Sequence, residues 1–195
     1  YFTGRDGSRT SNTEVAYIWA YNRLVNFVGN VLGTSGYHTV YEDSRGPQGT
    51  TGNPNRSIFL LGYSGVDEST SANISYDIGA VTSLLRWGNF DYATNQTRWN
   101  ASEIPAGHPV PANHVLPASL FLAAKPSWWG TVAWPPIGPD VTGGQDPAGH
   151  ARKIPAHLCY ETTPKNADGT LIFNAANCYQ TNPPPAAPRG LRVVP

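Results

Sequence analysis

Two adjacent carboxylate pairs, Glu42-Asp43 and Asp67-Glu68, stand beside Asp77, Asp91, Arg23 and Arg86 as the residues with the most chemistry to offer. Such a set suits an acidic polysaccharide: a lyase neutralises the uronate with an arginine, a lysine or carboxylate-held Ca²⁺, and a base then abstracts the proton α to the carboxyl. Neighbouring side chains on a strand point to opposite faces, so only one member of each adjacent pair is available to a common groove. Solvated loop acids are the commoner origin of such pairs, and adjacency without convergent geometry assigns no catalytic residue. Glycoside hydrolysis would need two carboxylates facing across a sugar at about 5–9 Å; Asp77 and Asp91 are the pair on offer. His38, His108, His114, His150 and His157 are scattered without a G-x-S-x-G nucleophile motif, and read as surface or turn histidines. No His/Cys spacing resembles a zinc site, so no metal ligand is assigned and Ca²⁺ is the one cofactor left open.

The aromatic residues make the better case, because tyrosine and tryptophan faces stack on sugar C–H surfaces while their polar edges reach hydroxyls. Trp87, Tyr92 and Trp99 lie close together in sequence, and with Arg86 and Asp91 they form the candidate ligand-binding set. Trp128, Trp129 and Trp134 sit among prolines, where covering a core is the better reading.

The elements that would position these groups are short strands. Val15, Tyr17 and Trp19 alternate, Phe27 to Gly33 is a β-rich run closed by glycine, and Ser57-Ile58-Phe59-Leu60-Leu61-Gly62 and Val81 to Asn89 follow. Val31-Leu32, Leu60-Leu61 and Leu84-Leu85 recur at intervals of about 20–30 residues, which suggests the rungs of a solenoid. Asn30 and Asn89, each after a glycine, suit turns at which asparagines of neighbouring coils bond to one another. The polar stretch from Ser44 to Asn55 reads as an exposed insertion. Beyond Ile104 the prolines interrupt every ladder, so this half reads as an irregular flank.

Composition limits the alternatives. The 195 residues include 20 Gly, 18 Pro, 10 Tyr and 6 Trp but only 13% charged residues, which disfavours helical bundles. A formal net charge of zero supplies no basic stripe for nucleic acid. No apolar run approaches the length of a membrane span. The chain opens at Tyr1 without a targeting segment and has no Met, as expected of a processed or excised piece.

Cys159 and Cys178 flank a polar turn from Pro164 to Gly169 and the strand-like Thr170-Leu171-Ile172-Phe173, a hairpin with a cysteine near each foot. A disulfide there would contribute about 3 kcal/mol and point to an oxidising compartment; two buried thiols are the alternative. Asn55, Asn73, Asn95 and Asn100 each begin a glycosylation acceptor pattern, without meaning in a bacterial protein.

Three stretches resemble bacterial secreted right-handed parallel β-helix, or pectate-lyase-like, repeat proteins in their C-terminal portion. Tyr21-Asn22-Arg23 with Asn26 to Gly33, and Leu85 to Tyr92, resemble late coils; Leu116 to Leu120, Lys125 to Gly130 and Trp134 to Asp140 resemble the closing segment. The resemblance covers about residues 1–180. It implies coils preceding Tyr1, an extracellular or cell-surface address and, from Ala187 to Val194, the start of a fibronectin-III-like module. It transfers no catalytic residue.

The expectation is therefore an all-β chain: β-helix coils over 1–103, a Pro/Trp-rich capping flank over 104–150, a disulfide hairpin over 151–181 and a Pro-rich linker or tail over 182–195. Its expected role is extracellular carbohydrate binding or polysaccharide processing, lyase-like if enzymatic. The alternative is a structural or adhesive surface protein, or a filament subunit, assembling through solenoid edges and the tail. Expected partners are a polysaccharide, other copies of the chain or upstream coils.

Overall fold

The computed structural model describes residues 1–44, 54–63, 76–136, 138–139, 141 and 154–178. Asp67, Glu68, Asn73, His150, most of the Ser44–Asn55 stretch and the tail lie outside them.

The central element is β5 (Ser57–Tyr63), whose Ile58, Phe59, Leu60 and Leu61 are all fully buried. A strand apolar on both faces belongs inside a sheet, and β5 lies between β1 (Ala16–Trp19) and β4 (Val40–Ser44), parallel to both. On β1 the core face is Ala16 and Ile18, packed with Phe59 and Leu61, rather than the alternating Tyr17 and Trp19, and Trp19 is exposed. Two smaller sheets complete the β structure. The first pairs β2 (Asn26–Val28) with β6 (Leu85–Trp87) in parallel. In the second, β7 (Asn89–Asp91) is parallel to β3 (Val31–Leu32) and antiparallel to β8 (Gln96–Arg98). A short helix α1 (Ile78–Thr82), capped by Asp77 accepting from the Gly79 N–H, closes the core through Ala80.

The right-handed parallel β-helix is corrected by this arrangement. The strands do pair in parallel, but in small separate sheets of two or three strands, and no stack of successive coils is present among the described residues. The strand order is the physical reason. Successive coils of a solenoid stack in chain order, whereas β5 inserts between β1 and β4; β8 then closes β7 with an antiparallel strand. The apolar pairs that suggested rungs are not neighbours: Val31-Leu32 meets Phe90-Asp91, and Leu60-Leu61 meets Tyr17-Ile18. The Asn30–Asn89 bond is nevertheless present, Asn30 Nδ2 donating to Asn89 Oδ1 at 3.0 Å.

Residues 104–136 hold no strand, only one 3₁₀ turn at Ser127–Trp129. Leu116 anchors this flank on Gly29 and Gly88, where a Cβ would lie 3.2 and 3.1 Å from its methyls. The disulfide hairpin is likewise corrected. Cys159 and Cys178 are bonded, but they sit in two short helices, α2 (Pro155–Thr162) and α3 (Ala175–Cys178). Between these helices the only β feature among the described residues is an antiparallel bridge from Lys165 to Leu171. Pro155 starts α2 because a first-turn proline lacks only an N–H that the helix leaves unused.

Candidate functional site

The charges singled out in the sequence fall into two groups. Arg86 is buried and meets Glu42 at 2.6 Å and Glu103 at 3.9 Å, with Arg98 on the other oxygen of Glu103 and the Tyr41 hydroxyl donating to Glu103 at 2.8 Å. Arg86 and Arg98 both lie over the Tyr41 ring. Burial holds the Tyr41 phenol far above its ordinary range, so it stays protonated and donates. Two guanidiniums and two carboxylates neutralise one another here, which is how a protein retains buried charge. Asp43 is a different case: it is 4% exposed, and neither carboxylate oxygen has a hydrogen-bond partner.

The candidate ligand residues Arg86, Trp87, Asp91 and Tyr92 are all buried. Asp91 accepts from the N–H and hydroxyl of Thr94 at 2.7 Å, closing the β7–β8 turn, and burial raises its carboxyl above the usual range. Trp87 and Trp99 do meet, edge to face at 5.2 Å, and His114 stacks flat on Trp99 at 4.6 Å. The rim of the Trp99 ring closes on Gly88, leaving 2.5 Å to a hypothetical Cβ. This aromatic group packs the flank onto the sheets. Asp77 is 14 residues from Asp91 in sequence and held elsewhere, by Arg23, so the two are not drawn into a facing carboxylate pair by any described contact.

His38 is a buried structural histidine: its Nδ1 accepts from the Thr34 N–H and its Nε2 donates to the Thr13 carbonyl, both at 2.8 Å. Burial lowers its pKa, which favours the neutral ring. Of the acceptor patterns, Asn55 accepts from the Asn12 N–H and Asn100 from Ser102, while Asn95 is exposed at the β7–β8 turn. Among the described residues, no group of three or more His, Cys, Asp or Glu side chains is placed to hold a metal ion. No described helix is long and apolar enough to cross a membrane.

The exposed chemistry lies on the turn that leaves β1. Tyr17 and Trp19 share the outer face of β1 and stack at 4.6 Å with planes 18° apart; Trp19 is 43% and Tyr21 69% exposed. Tyr21 and Leu24 have φ of +69° and +60°, a left-handed geometry costing non-glycine residues about 1–2 kcal/mol each. Asp77 offsets that cost at Tyr21. One of its oxygens accepts from the Tyr21 N–H at 2.8 Å and from Arg23 Nε at 2.9 Å, and the other from Arg23 Nη2 at 2.7 Å. Ser83 does the same for Leu24, accepting its N–H at 3.1 Å. The Arg23 hydrogen bonds hold the Asp77 carboxyl below its ordinary range. Half of the Arg23 side chain stays exposed, so the turn presents an aromatic surface beside a fixed guanidinium. Alternation of Tyr17 and Trp19 was visible in the sequence; which face of β1 is covered was not, since β5 and the core decide it.

No protein-family model matches the chain, and comparison with curated proteins and with solved structures finds no match.

Proposed function

We propose that this chain is an extracellular carbohydrate-binding module that holds its glycan on the Trp19–Arg23 turn. The observation that carries the reading is the stacked Tyr17–Trp19 pair, with Trp19 and Tyr21 exposed next to the pinned Arg23. Aromatic faces take the apolar side of a pyranose, and the guanidinium N–H groups not engaged by Asp77 would donate to hydroxyls or to a uronate carboxylate. Binding is favoured over processing, because the other described arginine–carboxylate group, Arg86 and Arg98 with Glu42 and Glu103, is internally paired around a buried Arg86. The Cys159–Cys178 disulfide is compatible with an extracellular address.

A glycan panel of neutral and acidic oligosaccharides tests this. Trp19→Ala and Tyr21→Ala should each weaken binding about tenfold or more, equivalent to about 1.4 kcal/mol. Arg23→Gln should weaken acidic ligands more than neutral ones. Absence of binding across the panel, or binding indifferent to Trp19 and Tyr21, removes the proposal.

A further inference from the structure

A second charged feature lies toward the other end of β1 and has no part in the glycan reading. Arg5 and Arg56 both lie over the Tyr37 ring, their guanidinium carbons 4.2 and 4.4 Å from its centroid. Tyr37 is 4% exposed and its hydroxyl is bonded to Thr13 Oγ1 at 2.8 Å, so the ring is a fixed platform for both cations. Arg56 immediately precedes β5, whereas Trp19 pairs with Tyr63 at the far end of that strand, about 20 Å away.

Local structure brings these two arginines together from distant parts of the chain. Gly4, with φ of +68°, sits where a Cβ would lie 2.8 Å from Thr13 O and 3.0 Å from His38 Nε2, and this close approach seats Arg5. Arg5 Nε donates to Arg9 O at 3.0 Å. Arg56 ends a 3₁₀ turn (Pro54–Arg56) and donates from Nη1 to Tyr37 O at 2.9 Å. Each guanidinium carries five N–H donors, of which the described contacts use one. The ion pairs among the described residues take up Arg23, Arg86, Arg98 and His157 but neither Arg5 nor Arg56. Asp6 and Glu14, the carboxylates nearest to Arg5 in sequence, are in none of them. Both positive charges reach His38, which is in edge contact with the same ring; burial first, and then Arg56 and Arg5, lower its pKa. Two like charges gathered on one ring repel unless an anion joins them.

We infer that Arg5 and Arg56 form an oxyanion site that takes a sulfate or phosphate group. Their guanidinium carbons are no more than about 9 Å apart, given their distances to the shared centroid. A tetrahedral oxyanion accepting from both at about 2.8 Å spans about 8 Å between those carbons, and partly exposed arginine side chains close the difference by small rotations. Guanidinium forks match the paired oxygens of such a group, and the Tyr37 ring holds both forks before the anion arrives. A tetrahedral dianion is favoured over a carboxylate because it offers oxygens to each fork and neutralises both charges at once.

Titration of the isotopically labelled full chain with sodium sulfate, and separately with sodium phosphate, tests this by nuclear magnetic resonance, with sodium chloride holding the ionic strength constant. Saturable shifts are expected at the Nε–H groups of Arg5 and Arg56, and Arg5→Gln and Arg56→Gln should each weaken binding about tenfold. Arg5→Lys keeps the charge but not the fork, and should recover only part of the lost affinity. A sulfated oligosaccharide and its desulfated counterpart identify the source of the group. Tighter binding of the sulfated form than of inorganic sulfate, through the same two arginines, makes it an ester on a larger ligand; equal or weaker binding makes it a free oxyanion. Shifts that rise without saturation, as at the exposed Lys125, overturn the inference, as does saturable binding that survives both glutamine variants.

Discussion

Replacing Gly88 with alanine should be among the most damaging small substitutions in the chain. Gly88 has φ of +64°, and a Cβ there would lie 2.5 Å from Trp99 Cη2, 2.6 Å from Cζ3 and 3.1 Å from a Leu116 methyl. The backbone contributes about 1–2 kcal/mol, and forcing a methyl into the Trp99 contact adds about 1–3 kcal/mol. The total of about 2–5 kcal/mol is a large share of an ordinary domain's stability. Gly36 supplies the control: its φ is +71° but nothing lies within 4 Å of the added Cβ, so Gly36→Ala should cost only the backbone part. Urea unfolding followed by far-ultraviolet circular dichroism measures both. In a Trp99→Ala background the Gly88→Ala cost should shrink toward that of Gly36→Ala, a coupling of about 1 kcal/mol or more. Equal costs at Gly36 and Gly88, or additivity in the double variant, would refute the assignment of Trp99 to packing.

Three further outcomes are expected. Because burial lowers the His38 pKa, its contribution is complete above the unfolded value of about 6.5 and is lost as pH falls through 6.5 toward the folded value; melting temperature should fall over that window, and His38→Gln should flatten the slope. Reducing the Cys159–Cys178 bond should cost about 3 kcal/mol and raise amide exchange in α2 and α3 first, whereas unchanged exchange there would show the helices hold without it. Asp43→Leu should stabilise the fold by about 1–3 kcal/mol, by removing a buried carboxylate without hydrogen-bond partners; a loss of stability would mean that the carboxylate is compensated.

Local features of this fold were legible because they depend on neighbours in the chain. The strand character at Ala16–Trp19, the apolar run from Ser57 to Gly62 and the strand-free proline stretch all report themselves within a few residues. Strand partnership is not local. Val31-Leu32 and Leu60-Leu61 look alike, and nothing in either says that the first meets Phe90-Asp91 and the second Tyr17-Ile18. The helix at Pro155–Thr162 was hidden by a weakly amphipathic sequence, and is held by a disulfide whose partner helix is one turn long. At the candidate site, residue types alone pointed to Arg86, Trp87, Asp91, Tyr92 and Trp99, since an aromatic that packs and one that binds look identical in sequence. The left-handed turn at Tyr21 carries no local mark, because the Asp77 that stabilises it lies 56 residues away.

The most direct test of the central proposal is chemical-shift mapping of isotopically labelled protein during titration with the tightest-binding oligosaccharide of the panel. Saturable shifts are expected at the Trp19 indole N–H, the Tyr21 ring and Arg23 Nε, with the Trp87 and Trp99 indoles unmoved. Shifts centred on Trp87 and Trp99, or none at Trp19 and Tyr21, would contradict the account.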